Sequence, residues 1–251
     1  MMCRLGILFC FACLVVLPMG IANSQSPGEL SVTAMRALEQ GDRKLAIQTA
    51  DQMLKASPQN SGVKMRAGDI FLRAGESKRA VAQFDAFLKD EPQQLPYLWQ
   101  RGIALYFTSD FAEGVKQFEV HRGVNSNDVE NAAWHFLCVA RAKSFDKAKG
   151  MVLPAPGDPR LPMKEVLQML NTGDTQAVID RIEKETVGTP QRSQAEFYGY
   201  FYLGLYEDAQ GNREEALRWM RKSAKDAPRN YMGDVARVYV DYLANSENVN
   251  Q

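Results

Sequence analysis

Beyond its apolar N-terminal stretch, the chain offers two histidines, His121 and His135, and one thiol, Cys138, as its candidate reactive side chains. A separation of three places His135 and Cys138 on the same side of a helix. His121 falls near the end of the preceding predicted helix, so all three could meet. Imidazole and thiolate are metal ligands and a Cys–His pair is a nucleophile with its base. The trio therefore reads as a metal- or cofactor-dependent centre, or as a nucleophilic one with Asn131 as a distant orienting group. A structural zinc site takes four ligands, and no fourth Cys or His lies beyond the apolar N-terminal stretch. The competing expectation is that both histidines are hydrogen-bonded core residues and that Cys138 is a small apolar side chain. On that expectation the chain has no catalytic residue, no metal ligand and no cofactor, and it is a binding protein.

Other chemistry is hard to find. There is no Gly-rich phosphate loop, no Gly-x-Ser-x-Gly elbow, no His-Glu-x-x-His helix and no Asp-rich calcium loop. Adjacent carboxylates such as Glu214 and Glu215 diverge by about 100° around a helix and form no acid–base couple. Thirty Lys and Arg against thirty Asp and Glu leave a formal charge of +0, which excludes a broad basic face for nucleic acid. Arg218, Arg221, Lys222 and Lys225 read as the solvated face of a helix.

The elements that must position these residues follow from an internal repeat. Small residues at Ala46, Ala80, Gly114 and Ala148 recur every 34 positions, and Ala216 lies two periods further on. Ala34, Gly68, Gly102 and Gly204 mark where a first helix closely approaches its partner. Gly41, Gly75 and Gly211 mark the turn between the helices of a pair. Phe84 and Phe118 are the large apolar residues of the second helix, and Pro58, Pro92 and Pro228 end it.

This pattern resembles the tetratricopeptide-repeat family over roughly residues 27–242, most clearly in Ser61 to Pro92 (SGVKMRAGDIFLRAGESKRAVAQFDAFLKDEP) and Phe197 to Pro228. The resemblance implies an all-α solenoid of antiparallel helix pairs that serves as a protein-binding scaffold. Within the family, QRGIALYF at 100–107, the degenerate middle unit and FYGYFYLGLYEDAQGNREEA at 197–216 are similar to the NlpI type of bacterial envelope lipoprotein. That similarity implies an adaptor, as a homodimer in one arrangement, that docks envelope proteases and peptidoglycan hydrolases. The lipid-attachment Cys of that type is missing here.

The expected organisation is a signal peptide over 1–22, four repeats over 23–153, and a Pro-rich interruption over 154–162. A degenerate helical pair over 163–193 and a final repeat, capping helix and polar tail over 194–251 complete it. Phe136 stands where a small residue is expected and Val152 where an aromatic is expected, so the fourth unit must pack differently. In strict register the degenerate unit places Leu170 and Ile182 at small positions. The capping helix, Met232 to Leu243, is expected to cover the last apolar face.

The N-terminal assignment rests on Arg4 followed by the uninterrupted apolar run Leu5 to Leu17, too short for the about 20 residues of a membrane span. Small residues then allow cleavage after Ala22 or Ser24. A secreted or periplasmic product without a lipid anchor is expected, with Cys3, Cys10 and Cys13 removed.

In a stack of such pairs the first helices line the concave face. The groove residues expected to hold a protein or peptide partner are Met65, Asp69, Leu72, Trp99, Ile103, Tyr106, Leu137, Tyr198, Phe201 and Leu205. Aromatic side chains exposed in a groove are common binding anchors. The alternatives are the His121, His135 and Cys138 centre and a purely structural self-association module.

Overall fold

A computed structural model describes residues 25–245, and thirteen α-helices cover most of them. The signal-peptide segment with Cys3, Cys10 and Cys13, and the end of the polar tail, lie outside the described residues. The first two pairs are α1 (Pro27–Gln40) with α2 (Arg43–Ala56), and α3 (Ser61–Ala74) with α4 (Ser77–Asp90). A 3-10 turn (Pro92–Tyr97) leads to α5 (Trp99–Phe107), which pairs with α6 (Phe111–Arg122). Next come α7 (Val129–Ala142) with the single-turn α8 (Phe145–Lys149), and α9 (Met163–Thr172) with α10 (Gln176–Glu183). The last pair, α11 (Pro190–Gln210) and α12 (Arg213–Lys225), is followed by α13 (Tyr231–Asn245).

Local chemistry sets these limits. Ser26 accepts from the Glu29 backbone while the Glu29 carboxylate accepts from the Ser26 backbone, so α1 opens on a reciprocal capping box. Asn60 and Thr189 cap α3 and α11 through their side-chain oxygens, and Pro190 sits in the first turn of α11, where its missing N–H costs nothing. Gly75 closes α3 at φ +92°, a left-handed conformation that only glycine adopts without strain.

The small positions of the repeat act through close packing. A Cβ on Gly68 would stand 2.7 Å from the Phe84 ring, and one on Gly102 would stand 2.5 Å from Phe118 Cζ. Each glycine thus seats the phenylalanine of its own pair, and Phe84 and Phe118 are fully buried. Ala46, Ala80, Ala148 and Ala216 are likewise shut from solvent.

The fourth and fifth units depart from the repeat, as Phe136 and Ile182 suggest. Phe136 is buried and stacks on Tyr206 of α11 with ring centroids 5.8 Å apart, and α8 is cut to five residues. Ile182 occupies a place meant for a small side chain, and the compensation lies on the next helix. A Cβ on Gly199 would come within 2.5 Å of Ile182 Cδ1.

The expected capping helix does more than cover the last face. It packs on α12 and also on α3, so it lies across the first helices and covers part of the concave side of the stack. Arg73 of α3 donates from Nε and Nη2 to Asp234 Oδ2 of α13, at 2.9 and 2.7 Å, in a buried ion pair. Tyr239 of α13 donates to Asp208 Oδ2 of α11 at 2.6 Å, and Tyr106 of α5 donates to the same oxygen. No described helix is long and apolar enough to cross a membrane.

Candidate functional site

The ten residues expected to line an open groove do not form one. Leu72, Tyr106, Leu137, Phe201 and Leu205 are completely buried, and Ile103 and Asp69 are 1% and 7% exposed. These seven are shut from solvent, and α13 covers part of the face that the repeat geometry would leave to a partner: its Tyr239 packs on Tyr106 and Phe201, and its Tyr231 lies against Asp69. Tyr106 faces Tyr239 of α13 at 5.8 Å between ring centroids. Asp69 is shut in beside Arg73, and burial raises its carboxyl above the usual range. Met65, Trp99 and Tyr198 alone remain half-buried.

Two of these three, Trp99 and Tyr198, border a cleft of about 330 Å³ between α5, α6, α7 and the start of α13. Trp99 meets Tyr231 of α13 edge-on, with centroids 4.9 Å apart. Ile103, Phe118 and Trp134 provide the apolar wall. Its polar lining comes from His121 and Asn131 and from Asp128, Glu130 and Arg160.

Arg160 organises the polar edge. It stands in the Pro-rich segment and reaches Asp128 at 2.8 Å, Asp158 at 2.6 Å and Glu130, the first and last of these lying at the start of α7. Asp158 accepts from the Val129 backbone N–H at 3.1 Å, so the segment is pinned to the α7 N-terminus. Burial pushes Glu130 up to about 7, against the opposing pull of Arg160, while Tyr202 donates to its carboxylate at 2.9 Å. Hydrogen bonds from Arg160 and the backbone of Val129 outweigh burial at Asp158 and hold its carboxyl below the usual value. Neither Arg160 nor Asp158 was visible as a site residue in the sequence. The available signal was two carboxylates, Asp128 and Glu130, at a helix start with no nearby cation in sequence.

His121, His135 and Cys138 have separate surroundings. His121 Nδ1 lies 2.8 Å from the Pro96 carbonyl oxygen. His135 is buried, and burial lowers its proton affinity against the influence of Glu119, whose carboxylate lies 3.6 Å from Nε2. Cys138 packs on α6, its Sγ 2.8 Å from where a Cβ on Gly114 would stand, and burial pushes the thiol far up. It fills a close-packing place as a small apolar group and has no low-pKa thiolate to attack with. Asn131 orients neither histidine; its Nδ2 donates to the Phe118 carbonyl at 3.1 Å. Among the described residues no group of three or more His, Cys, Asp or Glu side chains is arranged to hold a metal ion.

The basic face of α12 is solvated, as expected, with an added feature. Arg218 and Lys222 cover the Trp219 ring at 4.6 and 4.3 Å.

A family model for the tetratricopeptide repeat matches residues 37–100, which span α2, α3 and α4. Among solved structures, a tetratricopeptide repeat protein from Parabacteroides merdae is similar with a TM-score of 0.51 and 15% identity, covering 89% of this chain and 86% of that one. The MamA protein is similar with a TM-score of 0.43 and 15% identity, covering 79% of this chain and 90% of that one. No curated protein matches the chain. The repeat spacing, the glycine–phenylalanine contacts, the family-model match and the likeness to the Parabacteroides merdae protein agree that the chain has the tetratricopeptide-repeat fold, an all-α solenoid of antiparallel helix pairs.

Proposed function

We propose that the protein is an exported interaction scaffold that holds a segment of a protein partner over the cleft bordered by Trp99 and Tyr198. The fold supports the general role, since tetratricopeptide repeats serve to bind proteins. The observation that carries the placement is the cleft itself. The first helices are covered in part by α13, and in the cleft Trp99 and Tyr198 are half-buried beside buried polar groups. Half-exposed Trp and Tyr around a recess are what binding anchors are made of.

Export to the periplasm or the cell exterior, with cleavage after Ala22 or Ser24 and no lipid anchor, is supported by the apolar run and the small residues behind it. An envelope adaptor of the NlpI type, serving proteases or peptidoglycan hydrolases, is the specific reading that fits such an address. A homodimer is compatible with it. A metal-dependent activity at His121, His135 and Cys138 has less support, because among the described residues no group of three or more His, Cys, Asp or Glu side chains is arranged to hold a metal ion; self-association alone is the second alternative.

The test is affinity capture from the native envelope with the wild-type chain and with Trp99→Ala, each checked by its melting curve. Loss of a captured protein by a variant that still melts normally supports the placement. Equal capture by both contradicts it.

A further inference from the structure

The cleft contains more unsatisfied polarity than a scaffold needs. His121, Asn131 and Trp134 line it, are 5%, 4% and 1% exposed, and each keeps one polar atom without a partner, namely Nε2, Oδ1 and Nε1. The Tyr231 hydroxyl on the same wall is a fourth such atom, with the Asp69 carboxylate of α3 beside it. Buried polar atoms are normally paired, so the group calls for a specific explanation.

Their hydrogen-bonding sense can be derived. The Pro96 carbonyl can only accept, so Nδ1 of His121 carries a proton, and in the singly protonated ring Nε2 is an acceptor. Asn131 spends its Nδ2 on the Phe118 carbonyl, which leaves Oδ1 as a second acceptor. Trp134 Nε1–H is a donor only. Beside them stand three carboxylates, Asp128, Glu130 and Asp158, with the single guanidinium of Arg160 paired to all three. Acceptors and negative charge are in surplus. The remaining walls are aromatic, from Trp99, Tyr198 and Tyr231. Arg160 already lies over the Tyr198 ring at 5.8 Å and Arg73 over Tyr231 at 5.4 Å, so the ring offered to an incoming cation is that of Trp99.

We propose that this cleft binds an N–H-bearing cation, an amine or guanidinium, whose protons are taken by His121 Nε2 and Asn131 Oδ1. The inference rests on the cleft being the partner site. The cation is either a basic side chain of the bound segment or a free small amine. Trp134 Nε1–H distinguishes these sources, because it needs an acceptor next to the cation. A peptide carbonyl supplies one, and a simple diamine or agmatine does not.

The experiment titrates the full chain, by calorimetry and by tryptophan fluorescence, with N-acetyl-arginine amide, agmatine, and the neutral N-acetyl-norleucine amide. The expected order is N-acetyl-arginine amide first, about tenfold weaker for agmatine, and weaker again for the norleucine compound. Agmatine equal to or tighter than the arginine amide keeps the cation site and assigns it to a free small amine. Asn131→Leu should weaken the arginine compound about tenfold. Should that variant fail to fold, Glu130→Gln serves instead at pH 8, above the value of about 7 at which the wild-type carboxyl ionises; it keeps an acceptor for Tyr202 while removing one negative charge, and it should weaken the same compound several-fold. Equal binding of the norleucine and arginine compounds overturns the proposal, as does no saturation below about 10 mM on a folded chain. Partner capture that still depends on Trp99 in that case leaves the scaffold reading standing and removes only the cation.

Discussion

Tyr239 of the last helix donates its phenolic proton to Asp208 Oδ2 at 2.6 Å, and both residues are buried. Tyr106 donates to the same oxygen, so α5, α11 and α13 meet at one carboxylate. A buried carboxylate oxygen with two donors is stable only while α13 stays in the concave face. Tyr239→Phe removes one donor with almost no change of shape. It should lower the unfolding free energy by about 1.5–3 kcal/mol, the range for hydrogen bonds to charged groups, as read by urea denaturation. A change near zero would mean that the pair does not anchor the helix.

The repeat register makes a second prediction. Gly102→Leu must push a side chain into space held by Phe118, which already stands 2.5 Å from a bare Cβ. The expected loss is about 2–3 kcal/mol or more. Trp99→Ala, at a half-exposed position, should cost clearly less than the about 3–5 kcal/mol typical of a buried Trp. Melting curves on both variants check the order, and the reverse order would break the register.

Glu130 gives the stability a pH dependence whose sign is fixed. Its folded value of about 7 lies above the ordinary 4.5 because burial disfavours the charge. Between those values the folded chain holds the proton more tightly than the unfolded one, so this contribution to stability is lost as pH rises through the window. His135, lowered by burial, acts in the opposite direction, so the comparison must isolate Glu130. Glu130→Gln should therefore melt progressively higher relative to wild type as pH goes from 5 to 8. A difference between the two that stays constant over that range contradicts the assignment.

Cys138 should behave as packing. Iodoacetamide should leave it unlabelled in the native chain and label it after unfolding, since the thiol is buried and its ionisation suppressed. Cys138→Ala should cost no more than about 1–2 kcal/mol, whereas Cys138→Leu, facing Gly114, should cost more. Rapid labelling of the native protein would reopen the nucleophile reading.

Much of this architecture is legible in the sequence, because the information is local. Gly68 with Phe84 and Gly102 with Phe118 are sixteen apart within one helical pair, and their types alone state that the two helices touch. The apolar stripe Val235, Val238 and Tyr239 announces a terminal helix with one buried face. It does not say which helices that face meets, since an end cap and a groove filler need the same stripe. The decisive partners, Arg73 with Asp234 and Asp208 with Tyr239, are far apart in the chain and are recognisable only as charges on otherwise apolar helix faces. The same holds for the cleft. His121 and Asn131 stand out by type, but their free atoms follow from two backbone carbonyls, those of Pro96 and Phe118, which no side-chain pattern encodes.

If α13 is a permanent occupant of the concave face, the proposed partner is confined to the cleft beside it. Amide hydrogen exchange of residues 231–245 in the isolated full chain tests this most directly. Protection of α13 equal to that of α3 and α5, rising and falling with global stability, is the expected result. Exchange of α13 at the rate of free chain while α3 and α5 stay protected would contradict it, and would return the groove to an open, partner-binding surface.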